Sequence, residues 1–160
     1  MALAELERAW ELATEERLRF DLLVDLAQAA LRADEREKAR AYAEEQLAKA
    51  RLPEFADAAG AAIHYGNLVL GHLALASGDV EGAKGHLVGA GRTPGSAPLC
   101  SFGPSMVLAK ELLDRGEREA VLHYLRLCSV FWQPDDQCLD QWIWTIEHGG
   151  VPDFGVRLFL

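Results

Sequence analysis

Three times along the 160-residue chain the same interval recurs. Leu26-Ala27 is followed by Ala39, Leu70-Gly71 by Ala83 and Leu108-Ala109 by Val121, the gap from the second member being 12 residues each time. Each interval contains a turn signal: Asp34-Glu35, Ser77-Gly78-Asp79 and Gly116-Glu117. Two helices folded back at such a turn approach closely only where the facing side chains are small. A hairpin of this kind leaves one apolar face bare, and a second hairpin is what covers it, so the interval predicts an all-α stack of antiparallel helical hairpins.

The rest of the chain fits around that stack. Leu3, Leu6, Trp10 and Ala13 recur at steps of three and four, which predicts an amphipathic N-terminal helix, with a break near Thr14. The first hairpin spans about 18–51 and closes at Leu52-Pro53, because proline suits a helix start and not its interior. The second spans about 54–90. Gly60, Gly66 and Gly71 lie inside its first helix, each costing about 1 kcal/mol relative to alanine, so a break or bend is expected near Gly60. Asp79 is placed to cap the return helix. Residues 91–104 read as a loop from their Gly, Pro and Ser content. A third hairpin follows over about 104–132, starting at Pro104, then a capping helix over about 136–148 initiated by Pro134-Asp135-Asp136. Gly149-Gly150 stops that helix, and the apolar tail over 149–160 is expected to pack back on the body of a single domain, 1–160.

Charge and composition narrow the function classes. A formal charge of -9, from 25 acidic against 16 basic residues, argues against nucleic acid as a partner. Cys100, Cys128 and Cys138 contain no CxxC pair, which predicts reduced thiols in a cytoplasmic protein and no zinc ribbon. The first residues carry several Glu and no basic stretch, so no signal peptide is expected, and no apolar run has the roughly 20 residues a membrane span needs. His64 and His72 lie on one helix without a third ligand, and neither a metal nor another cofactor is expected. No nucleophile–base pattern or phosphate loop appears, which points away from an enzyme. The alternative is a small enzyme or a ligand- or anion-binding protein using the 91–104 loop with His86 and His123, the anion sitting at Ser101–Ser105. Trp144 falls off the Leu139–Ile146 face, so either the tail covers it or it joins the tail in a homodimer contact.

The middle unit, with Leu70-Gly71, Ala83, Leu87, Ala90 and Pro94, resembles the tetratricopeptide repeat family. Asn67 and Ala74 depart from the aromatic positions of its motif, and the repeats here lie 44 and 38 residues apart instead of the family's roughly 34. The resemblance covers about 18–132 and implies a right-handed superhelix whose first helices line a concave groove for a peptide or protein segment. It implies groove positions at Asp21, Val24, Asp25, Gln28 and Arg32 in the first hairpin. Tyr65, Leu68, Val69 and His72 follow in the second, and Met106, Val107, Lys110 and Asp114 in the third. Acids at one end and apolar residues midway would suit a basic-apolar peptide in a non-enzymatic, adaptor-like or chaperone-like scaffold. The bases available, Arg32 and Lys110, do not make up the family's clamp for a terminal carboxylate. In the competing reading the tail leaves no open groove, and Leu68 and Val69 are core.

Overall fold

Helix α1 (Leu3–Leu12) buries Leu6 and stops where the expected break falls. The stop has a visible cause. Arg19 Nε donates to the Ala13 carbonyl at 2.8 Å, and its guanidinium lies 5.3 Å from the centre of the Trp10 ring, which pins the corner. In this computed structural model, which describes residues 1–134 and 136–160, the chain continues as α2 (Glu16–Arg32), α3 (Arg36–Lys49), α4 (Ala59–Ala76), α5 (Val80–Gly91), α6 (Ala97–Phe102), α7 (Val107–Asp114), α8 (Arg118–Cys128) and α9 (Cys138–Glu147). No strand occurs among the described residues, so the molecule is all-α.

The three hairpins α2–α3, α4–α5 and α7–α8 turn by the same backbone device. Asp34, Gly78 and Gly116 sit in the left-handed region, with φ of 56°, 84° and 86°. The amide after each reaches back across the turn: Glu35 to the Ala30 carbonyl at 2.9 Å, Asp79 to Ala74 at 2.9 Å and Glu117 to Leu112 at 3.0 Å. This is the Schellman termination, which satisfies carbonyls that a helix end leaves open. Helix α9 ends the same way, with Gly149 at φ 84° and the Gly150 amide on the Thr145 carbonyl at 2.8 Å. The left-handed positions 34, 78, 116 and 149 are therefore 44, 38 and 33 residues apart. The sequence interval is a register of backbone geometry, and α9 repeats the first half of a hairpin.

Small residues lie where the hairpins need them. Ala27, Ala39, Ala83, Ala109 and Val121 are all buried. A Cβ added at Gly71 would meet Leu108 Cδ2 at 2.4 Å, so the glycine lets the third hairpin close on the second. The core divides in two places along the stack. Leu6, Phe20, Leu23, Leu26 and Phe55 fill the N-terminal end, and Ala27, Ala43, Val69 and Leu73 join the first hairpin to α4. A larger cluster of Leu68, Leu87, Met106, Leu112, Tyr124, Trp132, Trp142 and Phe154 unites the rest.

Three details differ from expectation. The 91–104 segment is not all loop: Ser96 caps α6 by accepting from the Leu99 amide at 3.4 Å, and Leu99 is buried beneath it. Helix α7 starts at Val107, after Pro104, because the amides of Ser105 and Met106 bond outside the helix. Helix α9 starts at Cys138, after Gln137 in the left-handed region; Asp135 of the expected initiator lies outside the described residues. Near Gly60 the expected break is present, as a 3-10 turn over Pro53–Phe55 ahead of α4. The tail packs back as expected, with Phe154 buried edge-on against Trp142 at 5.0 Å. No helix among the described residues is long and apolar enough to cross a membrane.

Candidate functional site

Helices α2, α4 and α7, the first of each hairpin, carry the anticipated groove residues, Met106 standing just ahead of α7, but not all reach the surface. Asp21, Asp25 and Arg32 are exposed on α2, as is Asp114 on α7, and Lys110 is half-buried. Leu68, Val69 and Met106 have no exposed surface and cannot touch a partner. The reason lies in the position of α4. It is flanked by the first hairpin on one side and the third on the other, so Leu68 and Val69 face opposite core clusters. On α4, Tyr65, His72 and Ala76 remain at least partly open, as do Ala61, Ile63, Asn67 and Ala74. Tyr65 sits edge-on to His64 at 4.9 Å, and burial raises its phenol pKa.

The charges on this face are largely paired. Arg17 Nε lies 3.2 Å from Asp21, and its other end reaches Asp57 at 3.0 Å. Lys110 Nζ donates to Asp114 Oδ1 at 2.7 Å. His72 Nδ1 lies 3.1 Å from Glu111 Oε2, and this hydrogen bond holds the Glu111 carboxyl below the usual range. Gln28 spends its amide on the Val24 carbonyl of its own helix, at 3.2 Å. Asp25 is the exposed acid of the set that makes no ion pair among the described residues. An open cleft of about 620 Å³ lies between the turn ends of α2, α4 and α7, lined by Leu31, His72, Leu75, Ala76, Glu111, Asp114 and Arg115. Glu111 and Leu31 escaped the sequence reading. They sit one residue from the named Lys110 and Arg32, and only the azimuth of each helix, set by packing, tells the neighbours apart.

Across this face lies the protein's own tail. Arg157 carbonyl accepts from the Met106 amide at 2.8 Å, the Phe159 carbonyl from the Ser105 hydroxyl, and the Leu160 carbonyl from Arg32 Nη1 at 3.0 Å. The segment thus runs from the start of α7 to the last turn of α2. Its grip is on main-chain oxygens, while Val156, Leu158 and Phe159 keep exposed side chains and Leu160 packs on the large core cluster.

His64, beneath the same region, is a buried strut. Its Nδ1 lies 3.0 Å from the Ala90 carbonyl, and its Nε2 accepts from the Ser105 amide at 3.3 Å. Both ring nitrogens are used only in the neutral form, and burial pushes its pKa down to about 4. It therefore ties α4, α5 and the start of α7 together, and positions Ser105 for the tail. No family model, curated protein or solved structure matches the chain.

The residues of the alternative site do not converge on one cavity. His86 is held by Asn67 Oδ1 at 3.1 Å, and His123 lies on a separate cleft between α5 and α8. Thr93 in the 91–104 segment donates to the Gly60 carbonyl at 2.7 Å and accepts from the Gly95 amide at 3.2 Å. Among the described residues no group of three His, Cys, Asp or Glu is placed to hold a metal ion. Trp144 is 61% exposed, stacked at 4.0 Å on His148, and the tail does not cover it.

Proposed function

We propose that the chain is a non-enzymatic, tetratricopeptide-like scaffold that captures a peptide or protein segment on the concave face formed by α2, α4 and α7. The observation that carries the reading is the tail itself. The stretch after Phe154, a 3-10 turn over Gly155–Arg157 followed by Leu158, Phe159 and Leu160, already lies on this face, its main-chain oxygens at 157, 159 and 160 held by Met106, Ser105 and Arg32. Groups that hold a peptide by its backbone work for many sequences, and specificity then falls to the side-chain surroundings. Those surroundings are the open cleft, with Leu31 and Leu75 as apolar wall and Glu111, Asp114 and Arg115 as its charges, and the exposed Asp25 on α2 outside it. A peptide with apolar residues and a basic side chain matches them best.

A panel of labelled peptides, basic-apolar, acidic-apolar and neutral-polar, tests the reading by fluorescence anisotropy. The basic-apolar member binds tightest, and replacing Asp25 and Glu111 together by Asn and Gln weakens it about tenfold, near 1.4 kcal/mol. Equal affinity across the panel, or for the double variant, contradicts it. The exposed Trp144 supports a contact with a second copy, without the tail's help. Light scattering then gives a dimer for the natural chain and a monomer for Trp144→Ser.

A further inference from the structure

We infer that residues 155–160 are a built-in competitor for the peptide seat: an apolar peptide from a partner binds at Arg32, Ser105 and Met106 only as this segment leaves. The inference rests on the peptide-capture reading and names what regulates it.

Two properties of the segment argue for release. It is held mainly by hydrogen bonds to its main chain, which the main chain of another peptide can replace. Three of its side chains contribute little, Val156 being 79% exposed, Leu158 47% and Phe159 37%, while Arg157 and Leu160 are half-buried. The anchor behind it is of a different kind. Phe154 is 2% exposed and packed on Trp142, so the chain stays fixed up to that residue while the segment beyond it moves. Gly155, at φ 55°, stands at the junction. The seat, by contrast, is rigid. Ser105 is fully buried, its amide is tied to His64, and its carbonyl accepts from Tyr124 Oη at 2.7 Å. A fixed seat and a lightly held occupant make an exchange site.

The chemistry of the incoming peptide follows from the occupant. It must present main-chain oxygens at the places of residues 157, 159 and 160 and carry an apolar residue where Leu160 meets the core cluster. At the Arg32 end it must offer a main-chain oxygen, as Leu160 does here.

The test uses the full chain and a labelled synthetic peptide of the sequence Gly-Val-Arg-Leu-Phe-Leu, that of residues 155–160. Two variants loosen the resident segment without touching the seat. Leu160→Glu removes its apolar plug. Arg157→Ala removes the half-buried guanidinium lying 5.2 Å from the Trp132 ring, and circular dichroism checks that the fold survives. Anisotropy titrations should show both variants binding the peptide at least tenfold more tightly than the natural chain, with the mass by light scattering unchanged from the natural chain. Adding Ser105→Ala to Arg157→Ala should return the affinity to the natural level. Equal affinity in the natural chain and the variants overturns the competition but leaves peptide capture standing. Absence of binding to folded variants at millimolar peptide overturns the seat itself. A natural chain that is dimeric, and becomes monomeric in both variants, shows exchange of segments between copies and overturns a partner peptide as the competitor.

Discussion

His64 carries the clearest consequence at the scale of a single residue. Its folded pKa, near 4, lies below the ordinary 6.5, so the unfolded chain binds the proton more readily between those values. Stability is therefore full above about pH 6.5 and falls as the pH drops towards 4, by roughly 3 kcal/mol at the lower end. Denaturant melts at pH 7 and pH 4.5 measure the loss. His64→Gln offers a donor and an acceptor without a titration, so it should lose clearly less over the same interval. An identical loss would mean that the carboxylates and His86 account for it instead. His86 contributes in the same direction, because burial lowers its pKa as well.

Two glycines separate packing from propensity. A Cβ at Gly60 would fall 1.7 Å from the Gly95 carbonyl oxygen, which is backbone and cannot swing aside. Gly60→Ala should cost about 2–3 kcal/mol, as overpacked cores do. Gly85, on an open face of α5, has nothing within 4 Å of an added Cβ. Gly85→Ala should gain about 0.5–1 kcal/mol from helix propensity alone. Thermal melts of the two single variants compare them directly, and shifts of the same sign would contradict the assignment.

At the scale of the elements, the hairpin turns differ in one respect. Gly78 and Gly116 take the left-handed conformation freely, whereas Asp34 adopts it with a side chain. Left-handed residues other than glycine carry a cost of about 1 kcal/mol. Asp34→Gly also gives up the exposed Arg36–Asp34 ion pair at 2.8 Å, a contact worth a fraction of that. The variant should thus be more stable by about 0.5 kcal/mol, read from equilibrium unfolding. A loss of stability would mean that the ion pair outweighs the strain.

The helical hairpins were legible in the sequence because their causes are local. Small residues, turn glycines and the cap at Asp79, whose carboxylate accepts from the Gly82 amide at 2.8 Å, all act within a few positions of themselves. What was not legible depends on contacts distant in sequence. Helix α6 exists because Leu99 has a place in the core, and nothing in its Pro- and Ser-containing surroundings announces that. Leu68, Val69 and Met106 look like groove residues by helix position and turn out to be core. Their fate depends on α4 having a neighbour on each side. The link from Arg32 to Leu160 spans 128 residues, beyond the reach of any periodicity.

For the whole molecule, the account stands on one face. The first helices of the hairpins, α2, α4 and α7, should form the binding surface, and the second helices, α3, α5 and α8, its opposite side. Hydrogen exchange read by mass spectrometry, with and without a saturating basic-apolar peptide, separates the two most directly. The account predicts slower exchange over 21–32, 65–76 and 105–114, with faster exchange over 155–160 as that segment is displaced. Slowing confined to the cleft between α5 and α8, or none at a peptide concentration that saturates anisotropy, would contradict it.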